Sequence, residues 1–367
     1  MRRRDRAGGA RRAAPGRRAI AAVVLALPLL AAAPGERGDP GSKLPATNGA
    51  SEYWDVVARF DSGHRFFVRF MVTNEGPGEN TGIAYGHLID PDGAAHFFSN
   101  GRREGRWQLD PRGRRLEIGS SELDLSGPEL TLAVHKRRKG VDIDLRIRPE
   151  GPALWNRSEH PGEPKVDLLA ASAPIAGTAW FRGMPQPVPL HGRAGVTHTW
   201  MDRSEPEIAL RRLDFFSLGD ETAVYLRDFE AVGGSRSRWL AITRGGEAIF
   251  ESAELSLTPG GTSAAQRDRD YPLPAVVALG GRNLHGEIRL GSGLLHHDPM
   301  TVMPQPFRFL LSWKLRPHRV WTDSVFEVTY PAGSESVTIR GAGIAGVTFL
   351  NPIPSKTSMT SPPNRGD

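Results

Sequence analysis

Val141-Asp142-Ile143-Asp144-Leu145-Arg146-Ile147-Arg148 sets four apolar side chains and four charges in strict alternation. Successive side chains of a strand point to opposite faces, so this octet reads as an antiparallel strand with one buried and one wetted side. Glu129 to Val134 precedes it with strand-like composition, and Lys136-Arg137-Arg138-Lys139-Gly140 supplies the turn of a hairpin. Arg137 and Arg138 read as turn-tip charges held in water rather than as a basic binding patch.

The same pattern recurs along the chain. Strands are expected at 54–60, 65–73, 83–89, 94–98, 115–118 and 122–125. A second series covers 213–218, 223–229, 238–243, 248–257, 286–290, 307–314, 324–330 and 337–340. Turn signals such as Asp61-Ser62-Gly63 and Arg244-Gly245-Gly246 separate them. No stretch holds an amphipathic helical period. About 14 short strands exceed one small sandwich, so an all-β chain of two tandem barrels or curved sheets is expected. The reading divides the chain into a first barrel at 51–190, a second at 191–354 and a disordered tail at 355–367. The junction is marked by the proline-rich Met184-Pro185-Gln186-Pro187-Val188-Pro189-Leu190, suited to an edge or crossover.

Charge is concentrated at the start. Eight arginines and Asp5 give residues 1–18 a net +7, which leaves −1 for the rest of a chain whose total is +6. Nucleic-acid binding therefore loses its main support. Ala19 to Ala33 is uncharged, contains Pro28, and is shorter than the roughly 20 residues a spanning helix needs. Basic, apolar and small-residue segments in that order make 1–33 a signal peptide, with a flexible Pro- and Gly-rich linker at 34–50. Export to the periplasm or beyond is expected. The chain has no cysteine, which excludes disulfides, a thioether lipid anchor and a thiol nucleophile.

No Gly-x-Ser-x-Gly elbow, His-Glu-x-x-His pair, phosphate loop or dinucleotide fingerprint occurs. His296-His297-Asp298 reads as a polar loop, because neighbouring strand histidines face opposite ways and would not share a metal. The richest segment is His198-Thr199-Trp200-Met201-Asp202. In a strand, His198, Trp200 and Asp202 share one face. Imidazole, indole and carboxylate together suit either a catalytic cluster or a hydrogen-bonded network that pins two domains.

That block resembles the central signature of the carotenoid 1,2-hydratase (hydroxyneurosporene synthase) and AttH-like family. Glu52-Tyr53-Trp54 resembles its opening motif, Tyr85-Gly86-His87-Leu88 its Gly-His-Leu element, and Phe326-Glu327 with 341–351 its closing segment. The likeness spans roughly residues 50–352 and implies two lipocalin-like barrels around a hydrophobic cavity. It also implies catalysis by a histidine, a tryptophan two residues on, a tyrosine and an aspartate. His198, Trp200 and Tyr225 match the first three. The aspartate expected two residues after the tyrosine is Arg227, with Asp228 one further on. Either a bulge restores Asp228, Asp202 substitutes, or the hydratase chemistry is absent.

Hydration of a C=C bond means protonating one carbon, stabilising a cation at the other and adding water. A neutral buried acid would supply the proton, the faces of Trp200 and Tyr225 the cation stabilisation, and His198 the handling of water. No cofactor or metal is needed. The competing reading is a non-catalytic lipid or isoprenoid carrier, its lining drawn from Trp54, Phe66, Phe70, Tyr85, Trp180, Trp239, Trp313 and Trp321. A third is an envelope interaction module; transient contact with a membrane is compatible with either, and no protein partner is indicated. The barrel interior discriminates: an open cavity reached by His198, Trp200 and an acid favours the enzyme, while a barrel packed solid disfavours both enzyme and carrier.

Overall fold

Alternation over 51–201 builds one antiparallel sheet. In this computed structural model it holds β1 (Ser51–Phe60), β2 (Arg65–Thr73), β3 (Thr81–Ile89), β4 (Ala95–Arg102), β5 (Trp107–Leu109), β6 (Arg115–Ile118), β7 (Ser121–Asp124), β8 (Leu130–Lys136), β9 (Val141–Ile147), β10 (Leu154–Asn156), β11 (Lys165–Phe181) and β12 (Val188–Met201). The described residues are 41–43, 49–74, 80–110, 112–156, 163–267, 270–302, 308–309 and 316–350. The strand order is β4-β3-β2-β1-β12-β11-β9-β8-β7-β6-β5, with β10 alongside β11. Asn100 on β4 donates to the Ile118 carbonyl and to Ser121 Oγ, so the two ends of the sheet meet in a nearly closed barrel.

A short helix, α1 (Glu205–Ile208), leads to the second sheet. This comprises β13 (Ala209–Phe216), β14 (Thr222–Ala231), β15 (Arg236–Arg244), β16 (Glu247–Ser252), β17 (Leu255–Gly260), β18 (Val276–Gly281), β19 (Leu284–His297), β20 (His318–Ala332) and β21 (Glu335–Phe349). Its order, β16-β15-β14-β13-β21-β20-β19-β18-β17, curls into a half-barrel. In both sheets the last strand returns to pair with the first, β12 with β1 and β21 with β13. The expected pair of tandem lipocalin-like barrels is thus realised as one nearly closed barrel and one half-barrel.

Three apolar layers follow from the alternation. Trp54, Phe66, Phe70, Leu132, Ile143 and Val196 fill the first barrel. Phe215, Leu226, Leu240, Ile288 and Val347 fill the concave face of the second sheet. Between the sheets, Val57, Phe67 and Leu168 meet Phe216, Trp239 and Trp321. Among the described residues, side chains therefore occupy the barrel interior where a ligand cavity was expected, which counts against both an enzyme and a carrier working from inside the barrel. Each such layer is held chiefly by removal of apolar surface from water, at roughly 25 cal/mol per Å².

Several boundaries differ from the sequence reading. The expected division at residue 190 falls inside β12, and all of Val188–Met201 belongs to the first sheet. The chain changes sheet only at 202–208. The run 248–257 is two strands at opposite edges of the second sheet. β11 carries no strand signal in the sequence because its residues 166–175 are covered on both faces, which erases the period of two there. Its Pro174 sits beside a register shift at Ala170/Ala173, where a missing N–H is tolerated. The signal segment, most of the linker, the tail and nearly all of 307–314 lie outside the described residues. Among the described residues no helix is long and apolar enough to cross a membrane.

Candidate functional site

Alternation on β1 and β12 decides where the expected site residues go. Trp54 is directly opposite His198, and Glu52 opposite Trp200, so all four share the face that looks into the first barrel. His198 is fully buried. Its Nε2 lies 2.6 Å from Glu52 Oε1, and its Nδ1 lies 3.8 Å from Asp167 Oδ2. Its ring stacks on Trp54 at 4.6 Å and 5° and leans on Trp200 at 5.0 Å. Burial alone would push the imidazole down, but Asp167 and Glu52 outweigh it and hold its pKa above the ordinary value. Glu52 also accepts from Ser42 Oγ at 2.6 Å and from the Lys43 backbone N–H at 2.7 Å. This is a sealed, hydrogen-bonded core cluster.

The other expected residues disperse. Asp202 is exposed, one residue beyond the end of β12. Tyr225 lies between the sheets and donates to Asp214 Oδ1 at 3.0 Å. No bulge interrupts β14 between Tyr225 and Asp228, so Asp228 faces the concave side of the second sheet and pairs there with Arg238 at 3.1 Å. Trp180 is half-buried near the β11–β12 turn, its Nε1 donating to the Met184 carbonyl. Of the expected lining aromatics, Tyr85 and Trp321 border an inter-sheet space and Trp239 packs beside it, whereas Trp54, Phe66 and Phe70 lie in the first barrel and Trp313 falls outside the described residues.

The opposite face of β1 meets the second sheet through charge. Tyr53 Oη donates to Glu205 Oε1 at 2.9 Å and accepts from Arg212, whose guanidinium also pairs with Glu205 and lies 2.7 Å from Asp214. Arg69 grips Asp55 with two hydrogen bonds of 2.6 Å and lies over the Tyr53 ring. Burial opposes ionisation of Asp55, yet Arg69 outweighs it and holds the carboxyl at about 2. Burial pushes Tyr53 up to about 12, so its hydroxyl stays neutral.

Above this network a cleft opens between the sheets. Asp55, Phe67, Arg69, Tyr85 and His87 line one wall, and Leu295, His297, Arg319 and Trp321 the other. Its free volume is about 10 Å³, room for one water molecule. Phe67 stacks on Trp321 at 4.5 Å, Tyr85 on His297 at 5.5 Å, and His87 meets His297 edge-on at 4.8 Å. Burial, helped by Arg319, lowers His87 to about 4. Burial, with His87 and Arg319, lowers His297 to about 3. Both imidazoles are uncharged at neutral pH, able to accept or relay a proton.

No family model and no curated protein matches the sequence. Solved structures do match. A protein of Nitrosomonas europaea assigned to AttH superposes with a TM-score of 0.61 at 13% identity, covering 87% of this chain and 99% of that one. CghA, solved with Sch210972, gives 0.59 at 12%, covering 86% and 98%. Kievitone hydratase of Nectria haematococca gives 0.54 at 12%, covering 84% and 91%. The fold is the lipocalin-like one that these structures share. At such identities the likeness carries the two-sheet architecture and no residue roles.

Within that fold, Trp321 stands in the cleft as one of the expected lining aromatics, while His87, His297 and Arg319 carry no expected role at a ligand site. His87 stood inside the Tyr85-Gly86-His87-Leu88 motif, and its spacing of two from Tyr85 was the available signal. His297 was assigned to a loop, but it ends β19 and turns into the cleft, while His296 faces the other way and lies 3.3 Å from His318. Arg319 and Trp321 alternate on β20, and nothing in a single strand says which of its faces meets another sheet.

Proposed function

We propose that the protein is an exported binder of a hydrophobic small molecule, a lipid or isoprenoid, taken up in the cleft between its two sheets. The observation that carries this reading is a cleft walled by aromatic rings from both sheets and holding two uncharged imidazoles. Sites for small molecules combine such apolar walls with a few converging polar groups, and they favour interfaces between packed units. Occupancy by anything larger than water parts Phe67 from Trp321, so the indole reports binding.

A second reading, hydration of a C=C bond, draws on His87 and His297. On a C=C polarised by a neighbouring carbonyl, either neutral imidazole can take a proton from water as the C–O bond forms, the electron pair passing to the carbonyl oxygen. Return of the proton to the adjoining carbon balances the addition without a cofactor. The sealed His198–Glu52 cluster would act at a distance in such a reaction, by fixing β1 and β12.

Mass spectrometry of organic extracts from the purified native protein tests both readings. A co-purifying apolar compound, lost in Trp321→Ala, supports the cleft; retention of the compound in that variant refutes it. Incubating the compound with wild type and with His297→Phe, His198→Ala and Asp202→Asn then separates the readings. A gain of 18 Da abolished by His297→Phe supports hydration; an unchanged mass in wild type leaves the carrier. Dependence on Asp202 would contradict the placement of the site.

A further inference from the structure

We infer that the ligand of this cleft bears one negatively charged oxygen group, a carboxylate, on an otherwise apolar body, and that Arg319 anchors it. The inference rests on the cleft being the ligand site, as proposed above.

The first observation is a charge imbalance. Seven acidic and basic side chains at most 9% exposed gather between the sheets: Arg69, Arg212, Arg227 and Arg319 against Asp55, Glu205 and Asp214. Burial keeps the nearby Tyr53 and Tyr225 hydroxyls protonated, and it keeps His87 and His297 neutral. Four guanidiniums thus face three carboxylates, and one positive charge is left over. A buried charge without a counterion is costly, and a single anion entering from solution would offset that cost.

The second observation locates the surplus. Arg69 is held by Asp55, Arg212 by Glu205 and Asp214, and Arg227 lies 4.0 Å from Asp214. Arg319 donates its Nε to Thr348 Oγ1 at 3.0 Å, and among the described residues no carboxylate stands within ion-pair distance of it, its charge reaching Asp55 and Glu205 only from further off. Its own charge falls on the cleft, whose wall it forms. On the same wall His297, 6% exposed, has a buried Nε2 with no hydrogen-bond partner. A neutral imidazole carrying its proton there would donate to the same oxygen. A guanidinium and an imidazole N–H converging inside aromatic walls suit one anionic oxygen group better than an uncharged terpene or a diffuse polyanion.

The test compares cis-parinaric acid with its methyl ester, the same chain with and without the charge, followed by energy transfer from tryptophan. The acid is expected to bind about ten-fold or more tightly than the ester, the worth of one charge-assisted hydrogen-bonded contact. Arg319→Gln is expected to bring the acid to the ester's affinity and leave the ester unchanged. Arg236→Gln, on the concave side of the second sheet, should alter neither. Equal affinity of acid and ester for wild type would overturn the anionic ligand while sparing the cleft. Failure of both probes to bind would overturn the cleft as a ligand site and this inference with it. An acid preference surviving in Arg319→Gln would overturn the role of Arg319. The wild-type ratio needs no variant, so it decides the ligand's charge even if Arg319→Gln fails to fold.

Discussion

Tyr225 and Asp228 lie on opposite faces of β14, with the register unbroken from Phe216 opposite Tyr225 to Leu213 opposite Asp228. The tyrosine looks between the sheets toward Asp214; the aspartate looks into the half-barrel toward Arg211 and Arg238. Three residues on a strand invert a side chain, so the two cannot serve one small substrate. Asp228→Asn should cost about 1–3 kcal/mol of stability, as loss of charge-assisted bonds does, and leave ligand binding in the cleft unchanged. Urea denaturation beside a binding titration checks both halves; a loss of binding at unaltered stability would contradict the placement.

The Tyr53–Glu205–Arg212 junction ties the sheets together. Tyr53→Phe removes a hydroxyl that both donates and accepts there, for an expected cost of about 1–3 kcal/mol. Arg212→Met leaves buried Glu205 and Asp214 without their nearest cation, for a larger cost of about 3–5 kcal/mol. Denaturation midpoints should rank wild type above Tyr53→Phe above Arg212→Met. The reverse order of the two variants would show that the ion pairs are not what holds this junction.

His198 should make stability fall at alkaline pH. Its folded pKa is raised, so protonation favours the native state. That contribution is complete below the unfolded imidazole value of about 6.5 and is lost as pH rises through the higher folded one. His198→Gln should flatten this limb in thermal melts between pH 6 and 9. On the acid side, Asp55 contributes stability that is present above about 4 and lost as pH falls toward its folded value of about 2.

The cleft histidines should not titrate in the physiological range. With His87 at about 4 and His297 at about 3, their imidazole resonances should hold the neutral shift from pH 8 down to 5. Nitrogen-edited NMR of labelled protein shows this directly, and a midpoint near 6.5 for either would mean that the cleft is wet and open.

Gly346 makes room for the cleft wall. A Cβ built on it would stand 2.4 Å from the Trp321 ring. Gly346→Ala should displace the indole, cost about 1–3 kcal/mol by overpacking, and weaken any ligand that touches Trp321. Unchanged tryptophan emission in the variant would contradict it.

Much of the architecture was legible in single strands. Alternation in 141–148 and its counterparts gave the all-β class and the two-sheet plan, because a period of two needs only local geometry. The same rule placed His198 and Trp200 on one face. It failed at β11, whose two buried faces carry no contrast, and at His297, where strand and loop look alike over three polar residues.

The sequence by itself determined the alternating strands, the absence of any thiol chemistry and the pairing of His198 with Trp200, since each of these is a property of neighbours in the chain. Only the tertiary structure decided that His198 is sealed beside Glu52 and that Tyr225 answers to Asp214. It alone brought His87, His297 and Arg319 from β3, β19 and β20 to one cleft. The physical reason is that a strand fixes which side chains share a face, whereas packing against a second sheet fixes what that face meets.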